Sequence, residues 1–235
     1  MTADAYPETP ALKVCGVTTT ADARAIADLG VELVGLNFYH GSPRCLDAER
    51  AAEVRSALGE NVLVVGVFVD APLQVVRDIG SRVGLDLFQF HGNEPEAVWH
   101  PVAERAIRVL RGVVERDPPV DPFAACWGLL FDTPTELLGG EIGGSGKTWR
   151  YEAAAPCIAS SPGRRILVAG GISPANAGAV LERLPGVWGL DVCSGVESAP
   201  GRKDLDKVAA LLDAVRSFAA GSAATRPAPA IGEPG

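Results

Sequence analysis

Leu12-Lys13-Val14-Cys15-Gly16-Val17-Thr18 reads as a short buried strand that stops at a thiol. Leu12, Val14 and Val17 supply β character, and Gly16 marks a bend or a close approach of backbone to a ligand. Strand side chains alternate faces, so a Cys15 that points into a pocket brings Lys13 with it, one pleat deeper. A thiol and an ammonium then share one interior, and a nearby cation lowers a thiol's pKa from its usual value of about 8.5. Taken alone, Cys15 also fits the role of a small buried hydrophobe.

The pattern that begins here repeats. From Ala11 on, a short apolar run, a turn and an amphipathic stretch follow one another eight times. The runs that predict strands are Leu12–Cys15, Glu32–Phe38, Val62–Val69, Leu85–Phe90, Ala106–Leu110, Gly128–Asp132, Ile166–Ala169 and Trp188–Val192. Between them, Thr20 predicts the cap of a helix through Ala23, Ile26 and Leu29 that stops at Gly30, and Pro72 starts one carrying Val75, Val76, Ile79 and Val83 to Gly84. Ser173-Pro174 predicts a cap and first helical position, with Ala177, Val180, Leu181 and Leu184 facing inward. The last helix places Leu205, Val208, Leu211, Leu212 and Val215 on one stripe. The gaps Glu94–Glu104 and Asp117–Ala125 are short and broken by proline.

Strict strand-helix alternation implies parallel neighbours joined by crossovers. Eight units within residues 11–218 fit a single α/β domain, a (β/α)8 TIM barrel, better than a doubly wound sheet. No G-x-G-x-x-G opens a helix after the first strand, so a dinucleotide fold is not indicated. Residues 1–10, bearing Pro, Thr and Asp, and 219–235, dominated by Ala, Gly, Pro and Ser, read as disordered tails.

With 29 acidic against 21 basic residues the net charge is −8, which argues against nucleic acid or an anionic membrane as partner. An anionic ligand would need a local positive site. The five cysteines, Cys15, Cys45, Cys126, Cys157 and Cys193, are widely spaced with no C-x-x-C pair. They suggest neither a disulfide framework nor a zinc site and fit a reducing cytoplasm. No apolar run approaches the roughly 18 residues of a membrane span, and the N-terminus lacks a signal-peptide pattern. Monomer and homodimer are left open.

In a barrel of this kind the active site lies at the carboxyl ends of the strands. Those ends collect Cys15, Arg44 in the Ser42-Pro43-Arg44 loop, Gln89 and His91, Asp132, and Asp191. The last three strands are followed by glycine-bearing loops: Gly143-Gly144-Ser145-Gly146, Gly170-Gly171 and Ser194-Gly195. Glycine lets backbone N–H groups approach an anion, and loops after strands 7 and 8 commonly hold phosphate. Each residue has an ordinary reading as well: Asp132 as a turn residue, Arg44 as a solvated arginine, His91 as a core histidine, Asp191 as a backbone acceptor. Their conjunction at one end of a barrel is what carries weight.

These residues resemble the phosphoribosylanthranilate isomerase family of tryptophan biosynthesis. The likeness rests on Lys13-Val14-Cys15-Gly16-Val17-Thr18, Ser42-Pro43-Arg44, Val65-Gly66-Val67-Phe68-Val69, Gln89-Phe90-His91-Gly92, the Gly143–Thr148 loop and Ala169-Gly170-Gly171. Asp191-Val192-Cys193-Ser194-Gly195-Val196-Glu197 and Pro200-Gly201-Arg202-Lys203-Asp204 complete it, in the family's order. The resemblance implies a cofactor-free, metal-free Amadori rearrangement of a phosphorylated sugar-anthranilate. Cys15 then looks like the general base and Asp132 the general acid. Arg44, His91 and Asp191 resemble substrate-binding positions, and Gly144, Gly146, Gly171, Ser194 and Gly195 the phosphate grip. Departures are Cys193 in place of serine, Phe90 in place of leucine, Trp149-Arg150-Tyr151, and a longer loop after Thr133 in which Leu137-Leu138-Gly139-Gly140 could form a flap.

The two roles require opposite shifts, an aspartate raised by burial and a cysteine lowered by cations and dipoles, with Lys13 the candidate for the latter. The alternatives are another sugar-phosphate isomerase of this architecture, a non-catalytic phosphosugar-binding paralogue, or a thiol redox protein. The first typically carries aspartate where Cys15 stands, and the last lacks a second cysteine near Cys15 in sequence.

Overall fold

A computed structural model of the chain describes residues 9–111, 123–133 and 148–225. Eight parallel strands close on themselves in sequence order: β1 (Ala11–Cys15), β2 (Leu33–Asn37), β3 (Leu63–Phe68), β4 (Leu87–Phe90), β5 (Ala106–Arg111), β6 (Gly128–Asp132), β7 (Ile166–Val168) and β8 (Gly189–Val192). Closure comes from β8 pairing with β1, with Lys13 opposite Asp191 and Val14 opposite Val192. The fold is the expected (β/α)8 barrel. The sequence runs overshoot several strands by a residue or two because Val62, Leu85 and Trp188 are apolar flanks outside the ladder.

Period-two alternation separates two buried layers. Ala11, Leu33, Val65, Leu87, Ile107, Leu130 and Leu167 meet inside the barrel, closed at the bottom by Trp188 stacked edge-on to Trp127. Leu12, Val14, Val34, Val64, Phe88, Leu129 and Leu190 face outward into the helical shell. On β1 this puts Leu12 and Val14 outside, leaving Lys13 and Cys15 on the inner face.

The shell contains α1 (Thr20–Asp28), α2 (Ala48–Ser56), α3 (Leu73–Val83), α4 (Glu96–Trp99), α5 (Ala155–Ala159), α6 (Ala177–Arg183) and α7 (Leu205–Thr225). Thr19, one residue before the expected cap, accepts the Asp22 N–H at 3.0 Å and starts α1. Pro72 opens α3 and Gly84, in the left-handed region at φ 74°, ends it, as the sequence predicts. Ser173 does not cap α6. Asn176 precedes that helix, its Oδ1 accepting the Ser173 N–H at 2.8 Å, so residues 174–176 form a turn and the helix begins at Ala177.

α7 also departs from expectation. Val208, Leu211, Leu212 and Val215 are buried, whereas Leu205 at its first turn is exposed. The helix runs past the expected boundary at Phe218 to Thr225, through a segment rich in alanine, the strongest helix former. Residues 1–8 and 226–235 of the expected tails, most of Asp117–Ala125, and the whole Gly143–Gly146 loop with Leu137–Gly140 lie outside the described residues. No helix among the described residues is long and apolar enough to cross a membrane.

Candidate active site

The carboxyl ends of the strands surround an open pocket. Cys15, Arg44, His91, Asp132, Asp191, Gly171, Ser194 and Gly195 all line it, so eight of the ten expected site residues converge. Gly144 and Gly146 lie outside the described residues.

At the floor, Lys13 is wholly buried and its Nζ donates to Asp191 Oδ1 at 2.8 Å. Burial would discharge the ammonium, but Asp191 and Cys15 hold it protonated above its usual range. Asp191 is pushed up to about 7, chiefly by burial, with Lys13 offsetting only part of that cost and the charge on Cys15 adding to it. The pair belongs to strands at opposite ends of the chain and exists only because the barrel closes.

Cys15 sits directly above Lys13. Its thiol is held well below the usual range, first by a hydrogen bond from the Cys193 thiol, then by the charges of Lys13 and Lys203, against the opposing effect of burial. Lys13 therefore contributes as strand alternation suggested, and Cys193 acts beside it. Cys193 is raised well above its usual range, first by that same bond and next by burial, and it is the donor of the pair. Gly16 then turns the chain at φ 72°, and a Cβ there would fall 2.5 Å from Arg44 Cδ, so this glycine lets the arginine cross the mouth of β1.

Arg44 is not a solvated arginine. It is buried, with Nε 2.9 Å and Nη2 2.6 Å from the two carboxylate oxygens of Glu197, leaving Nη1 without a protein partner among the described residues. Glu197 also accepts from Lys203 Nζ at 2.8 Å, and these two cations outweigh burial to hold its carboxyl below the usual range. Glu197 and Lys203 belong to the motifs quoted above, but no role for them follows from their types or spacing. Only folding brings them against Arg44.

Across the pocket, His91 Nε2 lies 3.1 Å from Asp132 Oδ2, and His91 Nδ1 lies 2.9 Å from Gln89 Nε2. A Gln89 N–H on Nδ1 places the imidazole hydrogen on Nε2, facing the carboxylate. Gln89 Oε1 is buried without a partner among the described residues, and turning the amide over would set that oxygen against Nδ1. Asp132 corrects an expectation. Burial does push its carboxyl up, but the hydrogen bond and charge of His91, the Thr133 N–H at 2.7 Å and Arg111 together hold it below its usual range.

The far end of the pocket is backbone. Gly170 and Gly171 have φ of 90° and 63°, and their loop is pinned by Trp149 Nε1 on the Ala169 carbonyl at 2.9 Å and Tyr151 Oη on the Gly170 carbonyl at 2.5 Å. Ser194 and Gly195 begin a short 3-10 turn, whose first N–H groups have no acceptor within it. A side chain at Gly195 would collide with the Ile172 carbonyl. The result is a cradle of N–H groups without side chains, suited to a phosphate. No group of three metal-ligating side chains occurs among the described residues.

The family model described as N-(5'phosphoribosyl)anthranilate (PRA) isomerase matches residues 12–214. N-(5'-phosphoribosyl)anthranilate isomerase of Acidithiobacillus ferrooxidans is 39% identical over 208 residues, spanning 87% of this chain and 97% of that relative. Among solved structures, the phosphoribosyl anthranilate isomerase of Thermus thermophilus superposes with a TM-score of 0.78 at 32% identity, covering 88% of this chain and 99% of that one. A phosphoribosyl anthranilate isomerase in complex with reduced 1-(o-carboxyphenylamino)-1-deoxyribulose 5-phosphate superposes at 0.75 with 27% identity, covering 88% and 99%. Matched end to end through its barrel, the chain belongs to the N-(5'-phosphoribosyl)anthranilate isomerase family.

Proposed function

We propose that this chain converts N-(5-phosphoribosyl)anthranilate to 1-(2-carboxyphenylamino)-1-deoxyribulose 5-phosphate, with Cys15 as general base and Asp132 as general acid. The observation that carries the assignment is a thiol held toward thiolate and a histidine-coupled carboxylate facing one pocket. The phosphate sits on the N–H groups of Gly171, Ser194 and Gly195. The anthranilate carboxylate takes the free Nη1 of Arg44, while Asp191 accepts the amino N–H.

The substrate is an aminal whose furanose ring must open before the sugar can rearrange. A proton goes to the ring oxygen, the C1–O bond breaks, and the nitrogen lone pair forms the C1=N iminium. The Cys15 thiolate then removes the C2 proton, and the C2–H electrons give an enolamine that tautomerises to the ketone. Because the Asp132 carboxyl is held below its usual range, it must take up the proton it delivers, and His91, with Nε2 3.1 Å from Oδ2, is the neighbour placed to supply it as the ring oxygen draws it away.

General acid-base groups typically contribute about 10² to 10⁴ in rate. Anthranilate-derived fluorescence, followed with substrate generated in situ, should decay rapidly with the wild type. Cys15→Ala and Asp132→Asn should each slow it by at least about 10²-fold. Turnover at the wild-type rate in either variant would remove that residue from the mechanism.

A further inference from the structure

Closure of the barrel places a second thiol against the proposed base. Val14 pairs with Val192 across the β1–β8 ladder, so Cys15 and Cys193 are the next residues along two neighbouring parallel strands. The Cys193 sulfur reaches the end of β1, since a Cβ built on Gly16, the residue after Cys15, would stand 3.2 Å from it. Both cysteines line the substrate pocket, and both are free thiols. Cys193 has already left the strand ladder, at φ −129° and ψ −88°, so its backbone is not held by strand pairing. From its adjacency to Cys15 in a solvent-open pocket, we propose that Cys193 is a resolving cysteine and that the two form a reversible disulfide that switches turnover off under peroxide. The proposal rests on Cys15 being the catalytic base.

The co-reactant is a hydroperoxide. The Cys15 thiolate attacks one peroxide oxygen, the O–O bond breaks, and with one proton the products are an alcohol or water and the Cys15 sulfenic acid. Cys193 sulfur then attacks Cys15 sulfur, the S–O bond breaks, and the Cys193 proton leaves with hydroxide as water. Two electrons pass from the thiol pair to the peroxide. Lys13 and Lys203 beside Cys15 favour the first step, since peroxide is attacked by thiolate. In a reducing compartment such a bond is transient and regulatory rather than structural. While it exists, Cys15 has no thiolate with which to take a proton.

The test treats the purified full-length protein with hydrogen peroxide, blocks remaining thiols by alkylation, and maps peptides without reduction while turnover is followed. A Cys15–Cys193 linked peptide should rise as turnover falls, and dithiothreitol should reverse both. In Cys193→Ser, or in Cys193→Ala should the first variant fold poorly, turnover relative to its own untreated rate should fall without recovery, because Cys15 proceeds to sulfinic acid. Peroxide inactivation of the wild type with no linked peptide would overturn the switch and leave the isomerase reading intact. A link that forms with turnover unchanged would overturn the switch by removing Cys15 from the mechanism.

Discussion

Removing the Cys193 thiol tests how the pocket makes a base out of a cysteine. In Cys193→Ala the Cys15 thiolate keeps Lys13 and Lys203 but loses its hydrogen-bond donor, the largest influence on it. Hydrogen bonds to charged groups contribute about 1.5–3 kcal/mol, and a thiol, as a weak donor, belongs at the low end. At about 1.4 kcal/mol per pH unit, that raises the Cys15 pKa by about one unit. The acid limb of kcat/KM against pH reports the base in the free enzyme, so it should move to higher pH by about one unit. Well below both values the variant should be about tenfold slower than wild type, and the two curves should converge at alkaline pH. Cys193→Ser, whose hydroxyl is the stronger donor, should keep its acid limb at or below the wild-type position. Superimposable acid limbs for wild type and Cys193→Ala would refute the reasoning and leave the lysines as the whole source of thiolate character.

Glu197→Gln strands two buried cations, Arg44 and Lys203, and should cost about 3–5 kcal/mol in urea unfolding while raising KM as Arg44 loses its orientation. A cost below roughly 1 kcal/mol with KM unchanged would show that the arginine is held by other contacts. Asp191 is raised from 3.8 to about 7, so between those values the native carboxyl binds a proton that the unfolded chain has released. Stability contributed by this group is therefore present below about 4 and is lost as pH rises toward 7, by up to about 1.4 kcal/mol per pH unit. Asp191→Asn should remove that slope, and urea midpoints of the two proteins that run parallel across this window would exclude Asp191 as its source.

Much of the fold was readable because barrel strands are short apolar runs with punctuation at both ends. Gly128–Asp132 matches its strand residue for residue, whereas Leu85 and Trp188 looked like strand because an apolar side chain packs equally well just outside a ladder. Ser173-Pro174 carried a standard helix-start signal, yet the Asn176 side chain turned that segment into a preceding loop. Such short-range competition between side chains and backbone is invisible to a rule that reads one position at a time. Glu94–Glu104, interrupted by Pro95 and Pro101, became the one-turn α4 followed by a 3-10 stretch, consistent with its proline content.

At the site, the sequence alone determined which residues stand at strand ends, because alternation and punctuation are local, and this was enough to bring Cys15, Arg44, His91, Asp132 and Asp191 into one pocket. It also determined that Lys13 shares the face of Cys15. What only the tertiary structure decided is the protonation chemistry. A pKa depends on charges and donors within a few ångströms, and in a closed barrel those come from distant positions: Asp191 lies 178 residues from Lys13, Glu197 153 from Arg44, and Asp132 41 from His91. Hence burial alone suggested a raised Asp132, while His91 lowers it. For the same reason Cys15, solitary in sequence, has in Cys193 a second thiol at its side.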